Sequence, residues 1–441
     1  MVQWRPLPFL VAFLFTLMIF VIHMLPGMDS MLNENNIRIS HGFLKSQIEY
    51  HQEIAPFVRR PLTSLLIEGV VQLFGWRYGH AFIFINFILL FLSGPLVFKL
   101  SKTMQASTGQ ALVNMGVYFL SFSVLFAFFP PIFSYDEPLQ YCFILLSLIA
   151  FVRRKWMWFV PLFTLALIAR ETSILLLPAL LFFGPGLWEL GNPEKHGKTE
   201  RHRKPEKYME TEKHGQPDDH VTTERDWRLK RRLKYTVPIL LPIVCYGIYL
   251  ILFIVSNNQL QATKVEMASR YTCFLENFES TKNTVETWIS LFFALGPFLY
   301  LVAVRMWKKK TTAFYRQCIG AFLLTAVINT PIVILTAFAR ETRLFALPLI
   351  FIWPVFAQLF AREVQLLFTW DLYRKVFGKW RYLIPVVLAL FLNYWFCFQV
   401  YPGLGLGENT LFGEYLFLIN LFIVLHFLLQ NPASDTLKSP G

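Results

Sequence analysis

Long uncharged apolar runs recur along the whole chain, and they constrain its fold more than any other feature. Most are long enough to cross a hydrocarbon core of about 30 Å as an α-helix. Only 16% of the 441 residues are charged, against roughly 25% in soluble domains. The sequence therefore predicts an all-α, polytopic transmembrane helical bundle of about twelve spans. These spans are residues 8–25, 79–98, 108–129, 138–152, 157–169, 173–188, 236–255, 287–304, 317–338, 344–361, 382–401 and 411–430.

Basic residues are distributed unevenly among the short connections between these runs. One alternating set holds clusters such as Arg153, Arg154 and Lys155, whereas connections 130–137 and 402–410 contain no Lys or Arg. Short loops rich in Lys and Arg stay in the cytoplasm. We therefore expect an integral multi-pass protein of a cell (inner) membrane, with both termini cytoplasmic. The same bias accounts for the net charge of +13, so we expect no nucleic-acid partner.

A charged tract divides the chain into two helical modules. Residues 189–235 mix both signs of charge and contain few apolar residues, a composition that cannot support a packed core and predicts a cytoplasmic linker. The N-terminal module, 1–188, includes a long outward loop at 26–78. The C-terminal module is 236–441. Four histidines in the linker could bind a metal, but a solvated charged tract is the simpler interpretation.

The long outward loop contains a helical pattern that is too short to span a bilayer. Apolar side chains share one face of residues 62–74, Pro61 suits a first helical turn, and Gly75 suits a stop. The pattern predicts an interfacial helix lying on the outer leaflet. Residues 40–55 are a candidate for a second such helix.

One tetrapeptide occurs twice, and both copies fall at the outer ends of predicted hairpins. Residues 169–172 and 339–342 both read Ala-Arg-Glu-Thr. A guanidinium offers a planar fork of donors that matches phosphate oxygens. Arg170 and Arg340 are therefore candidate phosphate ligands, and we expect both to face one outward cavity. Arg59, Arg60 and Arg343 add positive charge on the same side. The alternative is that the two strings are interfacial anchors with a coincidental match.

Acidic residues form a second candidate set on the same side. Asp29 follows the first span, and Asp136 and Glu137 occupy the next outward loop. A carboxyl group near a low-dielectric surface can have a raised pKa and act as a general base. Alternatively, Asp29 is a turn residue and Asp136 caps the helix that begins near Pro138.

Metal-ligand types also occur in the long outward loop. His41, Glu49, His51 and Glu53 could in principle bind a metal, but their spacing matches no established ligand motif. The sequence therefore predicts no cofactor, and no divalent metal is required.

This organisation resembles the type C (GT-C) superfamily of polytopic membrane glycosyltransferases. It is most similar to polyprenyl-phosphate-sugar-dependent, mannosyltransferase-like enzymes of the family 39 kind, over roughly residues 1–255. The resemblance rests on an acid after the first span, an arginine entering an interfacial helix, an acidic second outward loop and a hairpin with a basic tip. These are Asp29, Arg60, Asp136 with Glu137, and Arg170.

The resemblance implies transfer of a sugar from a polyprenyl-phosphate donor to a hydroxyl of a glycan, lipid or protein acceptor on the non-cytoplasmic face, without a metal. It implies that Asp29 is the base, that Arg170 binds the donor phosphate, and that Asp136 or Glu137 shapes the acceptor site. Many members carry two adjacent acids in the first loop, whereas Ser30 follows Asp29 here. The alternatives are a transporter or flippase, disfavoured by nearly uncharged span interiors, and a non-catalytic membrane scaffold.

Overall fold

The protein is described by a computed structural model covering residues 6–25, 41–54, 57–125, 135–183, 219–257, 260–270, 272–308, 312–406 and 410–436. Within these ranges every regular element is a helix and no strand occurs. The all-α prediction is therefore confirmed for the described part of the chain. Asp29 and residues 184–218, most of the predicted linker, lie outside the described residues.

Besides a four-residue helix at Phe122–Leu125, the N-terminal module contributes eight α-helices among its described residues. They are α1 (Leu7–Ile19, continued by a π-helical turn at Phe20–Met24), α2 (His41–Glu53), α3 (Pro61–Phe74), α4 (Tyr78–Thr103), α5 (Thr108–Leu120), α6 (Glu137–Val152), α7 (Trp156–Ala169) and α8 (Leu177–Phe182). A 3₁₀ turn at Glu171–Leu176 joins α7 to α8.

The C-terminal module begins within a helix that also includes the end of the charged tract. Its described helices are α9 (Asp219–Ser256), α10 (Leu260–Ser269), α11 (Thr272–Phe278), α12 (Thr281–Trp307), α13 (Ala313–Thr336), α14 (Phe356–Leu366), α15 (Trp370–Phe377), α16 (Trp380–Trp395) and α17 (Thr410–Thr436). Because α9 is continuous from Asp219, the end of the predicted linker is helical rather than separate from the span that follows it.

Eight described segments are long and apolar enough to cross a membrane, and each overlaps a predicted span. They are Leu7–Met24, Tyr78–Thr103, Thr236–Ser256, Thr281–Trp307, Ala313–Thr336, Leu347–Leu366, Leu383–Gly403 and Leu411–Gln430. The predicted spans at 108–129, 138–152, 157–169 and 173–188 correspond to helices of 16 residues or fewer. A 16-residue helix rises only about 24 Å. The chain is thus a multi-pass membrane bundle in which four apolar segments are too short to span as single straight helices.

Burial explains how such short helices are accommodated. Helix α6 lies inside the bundle, with 13 of its 16 residues buried, and it packs most extensively against α7 and α4. A helix that is surrounded by protein does not have to present a full bilayer-length apolar surface to lipid. The short helix α6 is therefore enclosed by its neighbours, whereas α7 buries only one face and leaves Met157 90% exposed.

Irregular backbone near residues 342–355 is also enclosed by protein. Three 3₁₀ turns follow one another there, interrupted by Pro348 and Pro354. Asn114 on α5 donates to the carbonyl of Pro354 at 2.6 Å and accepts from the N–H of Ala357 at 2.7 Å. Backbone groups that leave a helix at membrane depth need such internal partners, because lipid offers none.

The predicted helix in the long outward loop is present as α3. It begins at Pro61 and ends at Gly75, whose φ of +64° is the left-handed conformation that favours glycine. Thr63 and Ser64 face the protein, whereas Leu73 is 76% exposed. The helix therefore presents apolar side chains away from the bundle, as an interfacial helix would, while its contact with a leaflet stays a prediction.

Candidate active site

A cavity of about 800 Å³ lies at one end of the bundle, between the two modules. Its first wall comes from α2, the start of α6 and the turn after α7. Its second wall comes from α10, α11, the end of α13 and the turn that follows α13. The charged residues of the wall are Arg60, Asp136, Glu137, Arg170, Glu171, Glu266, Arg270, Glu276, Glu341 and Arg343.

Helix packing explains why acids and an arginine from distant positions meet here. Asp136 and Glu137 stand at the beginning of α6, and Arg170 directly follows the last residue of α7. These helices are joined by a short turn and pack side by side, so the beginning of one lies beside the end of the other. Arg60 comes to the same place because it immediately precedes α3.

Two guanidiniums converge on one buried carboxylate. Glu137 is 2% exposed and forms an ion pair with Arg170. Nε of Arg343, from the other module, lies 3.4 Å from Oε1 of the same carboxylate. Arg343 also donates to Glu341 at 2.6 Å. Glu137 thus occupies a position between two arginines that an anionic ligand could also occupy.

A second ionic network crosses the cavity wall between the modules. Nε of Arg60 donates to Glu171 at 2.6 Å as one arm of a bidentate pair. Arg270 lies 3.5 Å from Glu171 and donates to Glu266 at 2.6 Å, and Glu266 pairs with Arg59. The alternating charges connect α3 to α10, so they hold the two walls together.

Asp136 is the most enclosed acid in the cavity besides Glu137, with 2% exposure. Burial raises its pKa to about 6, even though the Arg60 and Arg170 guanidiniums act in the opposite direction. A carboxyl group that exchanges its proton near neutral pH can accept one from a bound hydroxyl. This is the electrostatic property that the sequence-based prediction required of a base.

A column of stacked rings supports the wall beside Asp136. The Arg60 guanidinium lies over Phe57 at 5.5 Å. The His51 ring stacks on Phe57 at 4.3 Å and contacts Tyr135 in a tilted arrangement at 4.4 Å. Burial, together with Arg60, lowers the pKa of His51 to about 3. His51 is therefore neutral at pH 7.

One part of the cavity wall is apolar. It includes Ile174, Leu175, Ile332, Val333, Phe338, Leu344 and Leu347. Ile174 and Ile332 are both partly exposed on the bundle surface. The cavity therefore combines an ionic wall with an apolar one that reaches the surface of the bundle.

Arg340 does not join Arg170 in the cavity, and the predicted convergence of the two is wrong. Its side chain is 40% exposed, packs over Phe338 and has its nearest carboxylate, Glu286, at 3.9 Å. The reason is the offset from the preceding helix: α7 ends directly before Arg170, whereas α13 ends at Thr336, four residues before Arg340. Arg343 takes the position that the repeat had suggested for Arg340.

The other predicted residues divide between the cavity and places outside it. Arg60, Asp136, Glu137 and Arg170 all line the cavity. Of the candidate metal ligands, His51 lines it, whereas Glu49 pairs with Lys45 at 3.5 Å. Among the described residues, no group of three or more metal-ligand side chains converges. Arg343 follows the second copy of the repeat and was expected only to add positive charge on this side. Arg270 and Glu266 were not predicted, because only the fold brings them next to residues of the first module.

The site thus takes its ionic residues from both modules, and its apolar residues reach the bundle surface. Comparison of the chain with models of protein families, with curated proteins and with solved structures gave no match.

Proposed function

We propose that this chain is a membrane glycosyltransferase that moves a sugar from a polyprenyl-phosphate donor to an acceptor hydroxyl at the non-cytoplasmic face. The observation that carries the proposal is the combination found in one cavity. A buried acid with a pKa near neutrality, Asp136, lies beside a pair of arginines that share one carboxylate. An apolar wall adjoins them.

Asp136 supplies the general base in this proposal. Its carboxylate removes the acceptor's hydroxyl proton while that oxygen forms a bond to the anomeric carbon of the sugar. The bond from that carbon to the phosphate oxygen breaks, and its electron pair leaves with the phosphate. A positioned base contributes roughly 10²–10⁴-fold to such a rate. Asp29, which the family resemblance favours, remains the alternative base.

Arg170 and Arg343 supply positive charge for the leaving phosphate. Both already face an anion, the Glu137 carboxylate, so the phosphate would take over a prepared position rather than order two free side chains. Charge that is fixed before the reaction stabilises the developing anion without reorganisation, and this is usually the larger catalytic term. Glu137 then acts as the counter-ion of the empty site.

The apolar wall suits a donor whose lipid tail cannot leave the membrane. Ile174 and Ile332 connect the cavity with the bundle surface, which gives the tail a route along apolar side chains. A volume of about 800 Å³ falls within the range of roughly 300–1,000 Å³ seen for small-molecule sites. The cavity is thus large enough for a sugar phosphate and the acceptor group.

Reconstituted protein tests the proposal directly. The wild type in lipid nanodiscs is given a panel of radiolabelled polyprenyl-phosphate sugars with membrane-derived acceptors, and both labelled product and released polyprenyl phosphate are measured. We expect transfer by the wild type and a loss of roughly 10²-fold or more in Asp136→Asn. Absence of transfer from every donor, with no donor binding, would contradict the proposal.

One observation favours a transporter as the second candidate. The ion pairs of Arg59 with Glu266 and of Arg270 with Glu171 connect the two modules at one end of the bundle, as a gate between rocking halves would. A flippase would move labelled glycolipid across vesicle membranes without breaking the sugar–phosphate bond. Measuring flux and bond cleavage in the same vesicles separates the two functions.

A further inference from the structure

His51 is held beside Asp136 by two aromatic neighbours that contact its ring. Phe57 stacks on the ring with centroids 4.3 Å apart, and Tyr135 packs against it at a tilt of 32° with centroids 4.4 Å apart. Tyr135 itself packs edge-on against Phe82 at 5.4 Å. The His51 ring is 8% exposed. A buried ring with two close aromatic neighbours cannot turn out to solvent without losing both contacts.

One of these nitrogens faces the acid. Nδ1 of His51 lies 3.9 Å from Oδ2 of Asp136, and this buried Nδ1 makes no hydrogen bond to any described residue. The separation exceeds a hydrogen bond by about 1 Å. Catalytic hydrogen bonds are often long before ligand binding and tighten afterwards.

We infer that His51 is a positioning residue for Asp136: its Nδ1–H donates to Oδ2, which leaves Oδ1 to receive the proton of the bound hydroxyl. This role deepens the proposed function and rests on it for its catalytic meaning. The orientation itself does not depend on which reaction the cavity performs. The sequence did not predict this role, because it places His51 only among four possible metal ligands with no established spacing.

The charges around His51 favour a neutral donor over an acid. The Arg60, Arg170 and Arg343 guanidiniums, together with burial, disfavour the imidazolium. The groups facing Asp136 are Arg60, Arg170, Glu171, Tyr135, Thr63 and His51. A neutral imidazole in this position stabilises the Asp136 carboxylate by donating a hydrogen bond, without adding another charge to a wall already rich in arginine.

Two substitutions separate this donor role from packing. His51→Phe keeps a ring between Phe57 and Tyr135 but removes the N–H. His51→Asn loses the ring but keeps an amide group on the same side-chain carbon as Nδ1. The matched control is His80→Phe, because His80 is exposed at the start of α4, outside the cavity.

The first measurement is the titration of Asp136 by infrared difference spectroscopy, with Asp136→Asn subtracted to identify its carboxyl band. We expect His51→Phe to raise the Asp136 pKa by about one unit, a tenfold increase in proton affinity, because the carboxylate loses a donor. His51→Asn should restore most of the wild-type value, and His80→Phe should leave it unchanged. Wild-type titration in His51→Phe would overturn the inference.

A second measurement needs only the wild-type protein, with His51→Asn used to assign the His51 resonance. In ¹⁵N-histidine NMR spectra, we expect the His51 ring to carry its proton on Nδ1 and to remain neutral at pH 5. A proton on Nε2 alone would also overturn the inference. This measurement keeps the test decisive even where His51→Phe fails to fold.

Turnover distinguishes failure of this inference from failure of the proposed function. If the wild type transfers sugar, the acid limb of its pH–rate profile should move up by about one unit in His51→Phe. A shifted titration in a protein that transfers no sugar would remove the proposed function and leave the orientation of Asp136 in place. Sugar transfer with an unshifted Asp136 titration would support the proposed function and overturn the role of His51.

Discussion

Individual side chains in the cavity owe their properties to their neighbours more than to their residue type. Asp136 and Glu137 are adjacent in sequence and equally buried, yet they meet different partners. Glu137 pairs with Arg170 and Arg343. At Asp136, burial outweighs the Arg60 and Arg170 guanidiniums and raises the pKa of the carboxyl group. Two neighbouring carboxyl groups thereby become suited to different tasks.

The pH dependence of turnover should follow the ionisation of Asp136. A base must be deprotonated, and its pKa is raised to about 6. The rate should therefore rise with pH through about 6 and level off above 7, and at pH 5 it should be about tenfold below the plateau. Stopped assays of kcat/KM between pH 4.5 and 8.5 measure this. A flat profile would exclude Asp136 as the base.

Conservative substitution of single arginines tests which of them bind the phosphate. Arg343→Lys should weaken binding of polyprenyl phosphate roughly tenfold, because an ammonium cannot reproduce the bidentate geometry. Arg340→Lys is the matched control and should change binding less than twofold, since Arg340 lies outside the cavity. Equal losses in both variants would show that the phosphate binds elsewhere.

At the scale of helices, the sequence predicted which segments are helical better than it predicted the lengths of those helices and their contacts. Periodic apolar runs identified the long helices and α3, because a bilayer selects the same pattern wherever a chain crosses it. The run at 138–152 was predicted as a span because an enclosed helix is as apolar as a lipid-facing one. Apolarity alone cannot distinguish these two environments.

The candidate site was predictable only where its residues are close to helix ends of the first module. Asp136, Glu137, Arg170 and Arg60 could be proposed from that placement. The pair of Arg59 with Glu266 joins residues 207 positions apart, and no local pattern signals such a contact. The repeat misled for a related reason: a tetrapeptide does not specify its distance from the end of the preceding helix.

Helix α15 carries a further prediction at this scale. Leu372 and Val376 pack against Leu429 of α17, whereas Trp370 is 66% exposed and the last turn holds basic residues. An amphipathic helix with exposed aromatic and basic side chains binds the interface of a leaflet that contains anionic lipid. We therefore expect α15 to contact anionic headgroups.

Substituting the basic residues near α15 tests this contact. Arg374→Gln, Lys375→Gln and Lys379→Gln together should lower the preference for phosphatidylglycerol over phosphatidylcholine in native mass spectra, by roughly fivefold per residue. The matched control replaces Arg153, Arg154 and Lys155 with Gln, a change of equal charge in a connection without an amphipathic helix. Equal losses in both triple variants would indicate a general charge effect.

Across the whole molecule, the cavity and a second polar cluster occupy opposite ends of α12. Thr287 on α12 donates to Asn277 of α11 beside the cavity. Lys308, just past the other end of α12, donates to the buried Glu363, which also contacts His426. A 27-residue helix is about 40 Å long, close to the full thickness of a bilayer with its headgroups. The two ends therefore suit opposite membrane surfaces.

Native cysteines allow the predicted orientation to be tested. Cys273 lines the cavity, whereas Cys142, Cys318 and Cys397 are buried. A membrane-impermeant maleimide added outside intact cells should label Cys273, and Cys273→Ser is the control that removes this signal. We also expect polyprenyl phosphate to slow the labelling. Labelling of Cys273 only after permeabilisation would reverse the orientation.

The pairing of charges between modules has a consequence for the order of events during synthesis. Arg59 is made long before its partner Glu266, and Glu137 long before Arg343. While the ribosome is translating the tract between the modules, Arg59 still lacks Glu266, and Glu137 has Arg170 but still lacks Arg343. In that interval, chaperones or insertion factors would encounter a first module whose cavity wall is incomplete. Insertion of the second module then completes the cavity. A chain released before that step would expose the charged residues that normally pair across the modules, and membrane proteases could recognise them.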